Sequence, residues 1–197
     1  MRSDARTVFE TCKTTTLTLD CYGTLIDWQG GACGALRSIY GYSQSKISDD
    51  TLIDLFLHAE AGIIRENIFP YSTVLRRVAQ SVAENLRVGS DSALEAEFAN
   101  SLPTWPLFEE TNPALIRLAR HYRLAIIFNV DDHLLATTIK QFAVPFEVIV
   151  TSEQANSYKP DHAIFAEAVR LIGEHPSSII HIAEGRCEAA PARALGM

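Results

Sequence analysis

Short apolar segments alternate with longer amphipathic segments before residue 28 and again after residue 105. Four short segments are apolar or rich in β-branched residues, as buried parallel strands are. They span residues 15–19, 123–128, 146–150 and 178–183. Segments with helical periodicity accompany them at residues 112–121, 132–141, 161–171 and 188–195. The pattern predicts an α/β domain with a doubly wound, parallel Rossmann-like sheet and crossover helices.

The stretch between residues 28 and 105 has a different pattern, with helical periodicity throughout. The predicted helices span residues 32–40, 49–64, 71–86 and 92–102, with no strand between them. Consecutive helices do not fit an alternating sheet, so we predict a helical cap domain at 28–105 inserted into a core domain of 1–27 and 106–197. The alternative is that these helices pack directly on the core. Residues 1–13 are polar and are predicted to form a loose tail or a short first turn.

Composition and charge narrow the class of protein. The 197 residues are 47% hydrophobic and 21% charged, with a formal net charge of −7, which argues against nucleic acid as a partner. A small anionic substrate is compatible with this charge if a few cations converge locally. The start of the chain has no apolar signal core, and no run of about 18 apolar residues suggests a membrane span.

The spacing of the cysteines indicates the redox environment in which the protein is expected. None forms a Cys-x-x-Cys pair or a zinc-binding spacing, so a reduced, cytoplasmic protein is expected, without membrane association. The oligomeric state is left open, a homodimer included. The cysteines are Cys12, Cys21, Cys33 and Cys187.

A polar turn follows the first predicted strand. Asp20 comes directly after the strand, Gly23 permits a tight turn, and Thr24 places a hydroxyl and a backbone N–H just beyond it. Ligands of open α/β sheets bind at the carboxyl ends of the strands, where Asp20 is expected. A turn of this kind that only caps a loop is the alternative.

Polar residues also follow the later strands, and parallel topology would bring them to the same sheet edge. Asn129 follows Phe128 after the second strand, Lys159 lies in a loop before a predicted helix, and Glu184 and Glu188 follow the last strand. A lysine near Asp20 would keep that carboxylate ionised and offset charge on a substrate. For Glu184, an acid that offsets a helix dipole is the alternative.

The segment Asp20-Cys-Tyr-Gly-Thr-Leu-Ile-Asp27 resembles the first motif of the haloacid dehalogenase superfamily, in the version of the type II 2-haloacid dehalogenases. The similarity extends over residues 14–197. It implies that Asp20 is a nucleophile that forms an ester, Lys159 its electrostatic partner, and Glu188 the acid near the hydrolytic water. The implied substrate contacts are Tyr22, Thr24 and Asn129. Members usually continue beyond the position of Met197 with another strand and helix, so an incomplete sheet edge is expected.

The resemblance leaves two alternatives. In a magnesium-dependent phosphatase of the superfamily, Asp20, Glu184 and Glu188 would hold Mg²⁺, a hard ion that prefers oxygen ligands. Phosphatases usually carry a second Asp where this chain has Tyr22, and type II dehalogenases need no metal. We therefore predict no cofactor, with Mg²⁺ as the alternative.

The second alternative is a degenerate member that binds without catalysis. Phe128 stands where the family has a Ser or Thr that bonds the substrate's anionic group, and Phe165 stands where type II dehalogenases carry a Tyr. The dehalogenases also place a cap Arg over the substrate, whereas residues 51–60 contain none. His58 and Arg65 are the nearest cationic residues.

Overall fold

The computed structural model describes residues 14–42 and 46–197, apart from the side chain of Arg186. The predicted tail at 1–13, including Cys12, lies outside the described residues. The strands are β1 (Thr16–Leu19), β2 (Arg123–Phe128), β3 (Val148–Thr151) and β4 (Ile179–Ile182), all parallel, in the order β3-β2-β1-β4. This confirms the predicted parallel α/β fold. The strand order reverses beside β1, the position at which open α/β sheets bind ligands.

The helices follow the predicted segments closely. They are, in chain order, α1 (Trp28–Tyr40), α2 (Asp49–Glu66), α3 (Tyr71–Asn85), α4 (Ser92–Ser101), α5 (Thr111–Leu118), α6 (Asp132–Thr138), α7 (Ser152–Ala155), α8 (His162–Ile172) and α9 (Arg186–Ala194). Short 3₁₀ turns occupy Leu102–Thr104, Ile139–Gln141 and Pro176–Ser178. Within the described chain, no helix is both long enough and apolar enough to cross a membrane.

Helix α1 begins four residues earlier than its periodicity indicated. The Asp27 side chain accepts a hydrogen bond from the backbone N–H of Gly30 at 2.9 Å and so caps the helix. Close packing requires glycine at position 31, since a Cβ there would lie 2.4 Å from Cγ of Trp105. The glycines in the first turns of α1 have low helix propensity, so the sequence pattern did not indicate a helix there.

The chain divides into two compact units. One consists of the described residues up to Leu25 with Glu109–Asn129 and Phe142–Met197, and it holds the whole sheet. The other consists of Ile26–Phe108 and Val130–Gln141, and it holds α1 to α4 and α6. The helical insert therefore forms a unit close to the predicted 28–105, and its role as a cap stays a prediction.

Helix α6 was predicted in the core but belongs to the helical unit. It packs on the 3₁₀ turn Leu102–Thr104, and the Gln141 side-chain amide donates to the carbonyl oxygens of Pro103 at 2.9 Å and Trp105 at 3.2 Å. These bonds depend on residues more than 30 positions away, so local periodicity does not reveal them.

The sheet is buried under α8 and α9 on one side. The apolar cluster there joins β2 and β3 to these helices and consists of Ile127, Val150, Ile164, Phe165, Ala168 and Ala192. Phe165, which the resemblance aligns with a tyrosine of the type II dehalogenases, is fully buried in this cluster.

Candidate active site

Asp20 is held at the carboxyl end of β1, where the sequence predicted it. Its backbone N–H donates to the carbonyl oxygen of Ile182 at 2.9 Å, and the residue is only 6% exposed. The Thr24 hydroxyl donates to Oδ2 of Asp20 at 3.1 Å and accepts from the backbone N–H of Glu184 at 3.2 Å. The turn after β1 therefore fixes one oxygen of the carboxylate.

Lys159 places a buried cation between two carboxylates. Its Nζ donates to Oδ1 of Asp20 and, at 3.0 Å, to Oε2 of Glu188. The Lys159 side chain is 5% exposed, so solvent screens these ion pairs little. The predicted pairing of Asp20 with Lys159 is confirmed, although the two residues are 139 positions apart.

Asn129 holds the backbone of this lysine. Its side-chain Nδ2 donates to the Lys159 carbonyl oxygen at 3.2 Å, and its Oδ1 accepts from the Lys159 backbone N–H at 2.6 Å. Two reciprocal bonds fix the loop before α8 relative to the end of β2. Asn129 therefore positions the lysine, and its contact with substrate stays a prediction.

Glu188, in the first turn of α9, is held from two sides. Oε2 accepts from Lys159 Nζ and lies 2.8 Å from Nε2 of His181. Burial raises the pKa of Glu188, but the hydrogen bond from His181 and the charge of Lys159 outweigh it and lower this pKa overall. The Glu188 carboxylate is therefore held in its ionised form.

His181 was missed in the sequence because it occupies an apolar strand. Within Ile179–Ile182 it resembles a core histidine, and its spacing to Glu188 has no motif character. The signal that could have found it is its position at the carboxyl end of a strand bordering the topological switch point.

An aromatic pair stands at the end of β2, where the resemblance to the haloacid dehalogenases implies a hydroxyl. Phe128 is 6% exposed, and its ring stacks on Tyr22 with centroids 4.8 Å apart. Nζ of Lys159 lies 5.5 Å from the Phe128 ring centroid, within the range of a cation–π contact. Phe128 therefore supports the lysine but supplies no hydrogen-bond donor.

Cys21, the residue next to Asp20, is buried beside the carboxylate. Burial, and after it the charge of Asp20, raises the pKa of the Cys21 thiol well above its ordinary value. The thiol therefore stays protonated, and the nucleophilic role of Asp20 stays a prediction.

A family model described as haloacid dehalogenase-like hydrolase matches residues 14–196, nearly the whole chain. The chain belongs to this family. Among curated proteins, the haloacid dehalogenase-like hydrolase domain-containing protein 3 of Danio rerio is 31% identical over 103 residues. The match covers 48% of this hydrolase but only 43% of that protein, less than half of its length.

Solved structures of haloacid dehalogenases share the fold of this hydrolase. An L-2-haloacid dehalogenase of Xanthobacter autotrophicus with covalently bound chloropropionic acid superposes with a TM-score of 0.79 at 16% identity, covering 93% of this chain and 75% of that one. A defluorinating L-2-haloacid dehalogenase gives 0.81 at 20% identity, covering 93% and 79%. A magnesium-bound hydrolase of the same superfamily from Bacillus subtilis gives 0.75 at 18% identity, covering 94% and 85%. At these identities the likeness establishes the fold alone.

The acidic residues of this hydrolase do not fit a magnesium ion held by three carboxylates. Lys159 already pairs with both Asp20 and Glu188, and Glu184 is exposed. In the described ranges, no three His, Cys, Asp or Glu side chains converge as a metal-binding group. A near-octahedral Mg²⁺ shell needs oxygens that converge on one point, which these three side chains do not provide. The prediction that no cofactor is needed stays a prediction.

Proposed function

We propose that this hydrolase displaces halide from a small 2-haloacid through an ester of Asp20. The observation that carries the proposal is the ammonium group of Lys159, buried between the carboxylates of Asp20 and Glu188. A nucleophile and a base in one water-poor site match a two-step displacement. Covalently bound chloropropionic acid in the Xanthobacter autotrophicus dehalogenase supports this chemistry for the shared fold.

In the first step, a carboxylate oxygen of Asp20 attacks carbon 2 of the substrate. A carbon–oxygen bond forms, the carbon–halogen bond breaks, and the halide departs with its electron pair. The Thr24 hydroxyl bonds one oxygen of Asp20, while Lys159 bonds the other and offsets the charge of an anionic substrate. The attacking carboxylate is therefore oriented before substrate arrives.

In the second step, water attacks the ester carbonyl carbon of Asp20. Glu188 accepts a proton from that water, and the bond between the carbonyl carbon and the ester oxygen supplied by Asp20 breaks. That oxygen leaves as the hydroxyl of the 2-hydroxyacid after taking up a proton. Asp20 is regenerated as a carboxylate beside Lys159. One water is consumed, and one halide and one proton are released per turnover.

The departures from the family pattern predict a weak dehalogenase. Phe128 offers no hydrogen bond to the substrate carboxylate, and a missing bond of this kind costs about 1–3 kcal/mol, or about one to two decades in rate. Contacts of substrate with Tyr22 and Thr24, the anionic character of the substrate and the cytoplasmic location stay predictions, and the oligomeric state stays open.

The decisive experiment is a single turnover of 2-chloropropionate in ¹⁸O-labelled water, with enzyme in excess. The product oxygen comes from Asp20 in the first turnover, so the label should appear on the Asp20 carboxylate and not in the hydroxyacid. Asp20→Asn should release no halide, and EDTA should leave parent turnover unchanged. Label in the first-turnover product would contradict the ester, and strictly Mg²⁺-dependent cleavage of an aryl phosphate would favour the phosphatase. Inactivity on both substrate classes would favour the binding protein.

A further inference from the structure

His181 is locked in place behind Glu188. Its Nε2 lies 2.8 Å from Oε2 of Glu188, and its Nδ1 lies 3.0 Å from the Thr18 hydroxyl oxygen. The His181 side chain is 3% exposed, and its ring meets that of Phe165 edge-on with centroids 5.1 Å apart. Both ring nitrogens are therefore hydrogen-bonded and the ring packs against Phe165, which holds the imidazole in one orientation.

The chemistry of the two partners assigns the protons. An ionised carboxylate only accepts hydrogen bonds, so Nε2 of His181 carries the hydrogen that Glu188 receives. The Thr18 hydroxyl can serve Nδ1 as donor or acceptor because it rotates. Thr18 is fully buried in β1, so the ring is anchored to the sheet itself.

The two oxygens of Glu188 are used unequally. Oε2 accepts hydrogen bonds from both His181 and Lys159, whereas Oε1 has no hydrogen-bond partner among the residues that the structure describes. Two donors on one oxygen fix the plane of the carboxylate and leave the other oxygen for a water molecule. Without His181, the Glu188 carboxylate would keep a single side-chain bond, the one to Nζ of Lys159.

We propose that His181 is a positioning residue that holds Glu188 for hydrolysis of the Asp20 ester. The inference rests on the proposed function and adds to it a residue that acts on the second step alone. In the described structure His181 makes no hydrogen bond or ion pair with Asp20, so attack on the substrate is not expected to depend on it. Removal of its hydrogen bond should therefore slow ester hydrolysis and spare ester formation.

The test follows the two steps separately in the whole 197-residue chain. Enzyme is mixed with 2-chloropropionate and quenched at intervals, and the Asp20 ester is measured by intact-protein mass spectrometry alongside halide release. In His181→Phe, ester hydrolysis should slow by about ten- to a hundredfold, the effect of one lost hydrogen bond to a charged group. The ester should accumulate while the initial halide burst keeps the parent rate.

Two conservative variants sharpen the test. His181→Gln retains an N–H donor for Glu188 and should recover part of the hydrolysis rate. Thr18→Val keeps the shape of the buried side chain but removes the partner of Nδ1, so it should slow the same step by a smaller factor. If His181→Phe does not fold, the rate of ester hydrolysis in Thr18→Val tests the proposal. An unchanged rate in that variant would contradict the role of His181, because the ring would then not need its anchor.

Controls separate this role from general destabilisation and from failure of the proposed function. Ile179→Ala removes buried volume from the same strand, away from the site, and should not accumulate ester; accumulation there would overturn the specific role of His181. Accumulation in Glu188→Gln without accumulation in folded His181→Phe would overturn the inference and leave the function standing. Absence of ester and of halide release in the parent and in Glu188→Gln would overturn both.

Discussion

Substitution of Phe128 by Ser restores the hydroxyl that the family uses at the end of the second strand. Phe128 is the last residue of β2, stacks on Tyr22 and lies near Nζ of Lys159. A serine there would stand beside the proposed nucleophile and could donate to the carboxylate of a 2-haloacid. We expect the folded variant to dehalogenate faster than the parent.

Two opposing magnitudes decide the outcome. Removal of a buried phenyl ring costs about 3–5 kcal/mol of unfolding free energy. Loss of the stacking on Tyr22 costs about 0.5–1.5 kcal/mol in addition to the loss of buried apolar surface. Domains have a total stability of about 5–15 kcal/mol, so urea unfolding must first show that the variant is folded. The recovered bond to a charged group contributes about 1.5–3 kcal/mol in the transition state, or roughly ten- to a hundredfold in rate.

The matched control is Phe128→Ala, which makes the same cavity and loses the same ring contacts without supplying a hydroxyl. The ratio of kcat/KM between the Ser and Ala variants on 2-chloropropionate therefore isolates the new hydrogen bond. A ratio near one, with both variants folded, would refute the assignment of this position to the substrate's anionic group. Addition of Asp20→Asn should abolish the gain.

Two further predictions concern stability. The buried Asp131 carboxylate accepts hydrogen bonds from the backbone N–H groups of Tyr71 and Ser72 at the start of α3, so Asp131→Ala should lower the unfolding free energy by about 1–3 kcal/mol. Asp131→Asn keeps an acceptor and should lose less stability in urea unfolding. Equal losses in the two variants would contradict the capping role. The lowered pKa of Glu188 contributes stability that is present above its ordinary pKa of 4.5 and is lost as pH falls through the lowered value. The difference in unfolding free energy between the parent and Glu188→Gln should therefore shrink as the pH is lowered. A difference that does not change with pH would contradict this contribution of Glu188.

The local pattern was sufficient for most of the elements. The predicted strand at 123–128 coincides with β2, since a β-branched apolar run buried on both faces has few other solutions. The third strand was predicted two residues early, at 146. Phe146 packs edge-on against Phe142 outside the sheet, so its apolar character belongs to a different contact. Helix α7, with four residues, is too short for its periodicity to be detected.

The sequence by itself determined the parallel fold, the position of Asp20 at a strand end and the family, because each depends on neighbours along the chain. Only the tertiary structure decided that Lys159 also bonds Glu188, and that the His181 ring lies within hydrogen-bond distance of Glu188. These contacts join segments carried on different strands, helices and loops. Their geometry is set by how the sheet packs rather than by residue spacing. A periodic pattern tells which face of an element is buried, but not which side chain of another element it meets there.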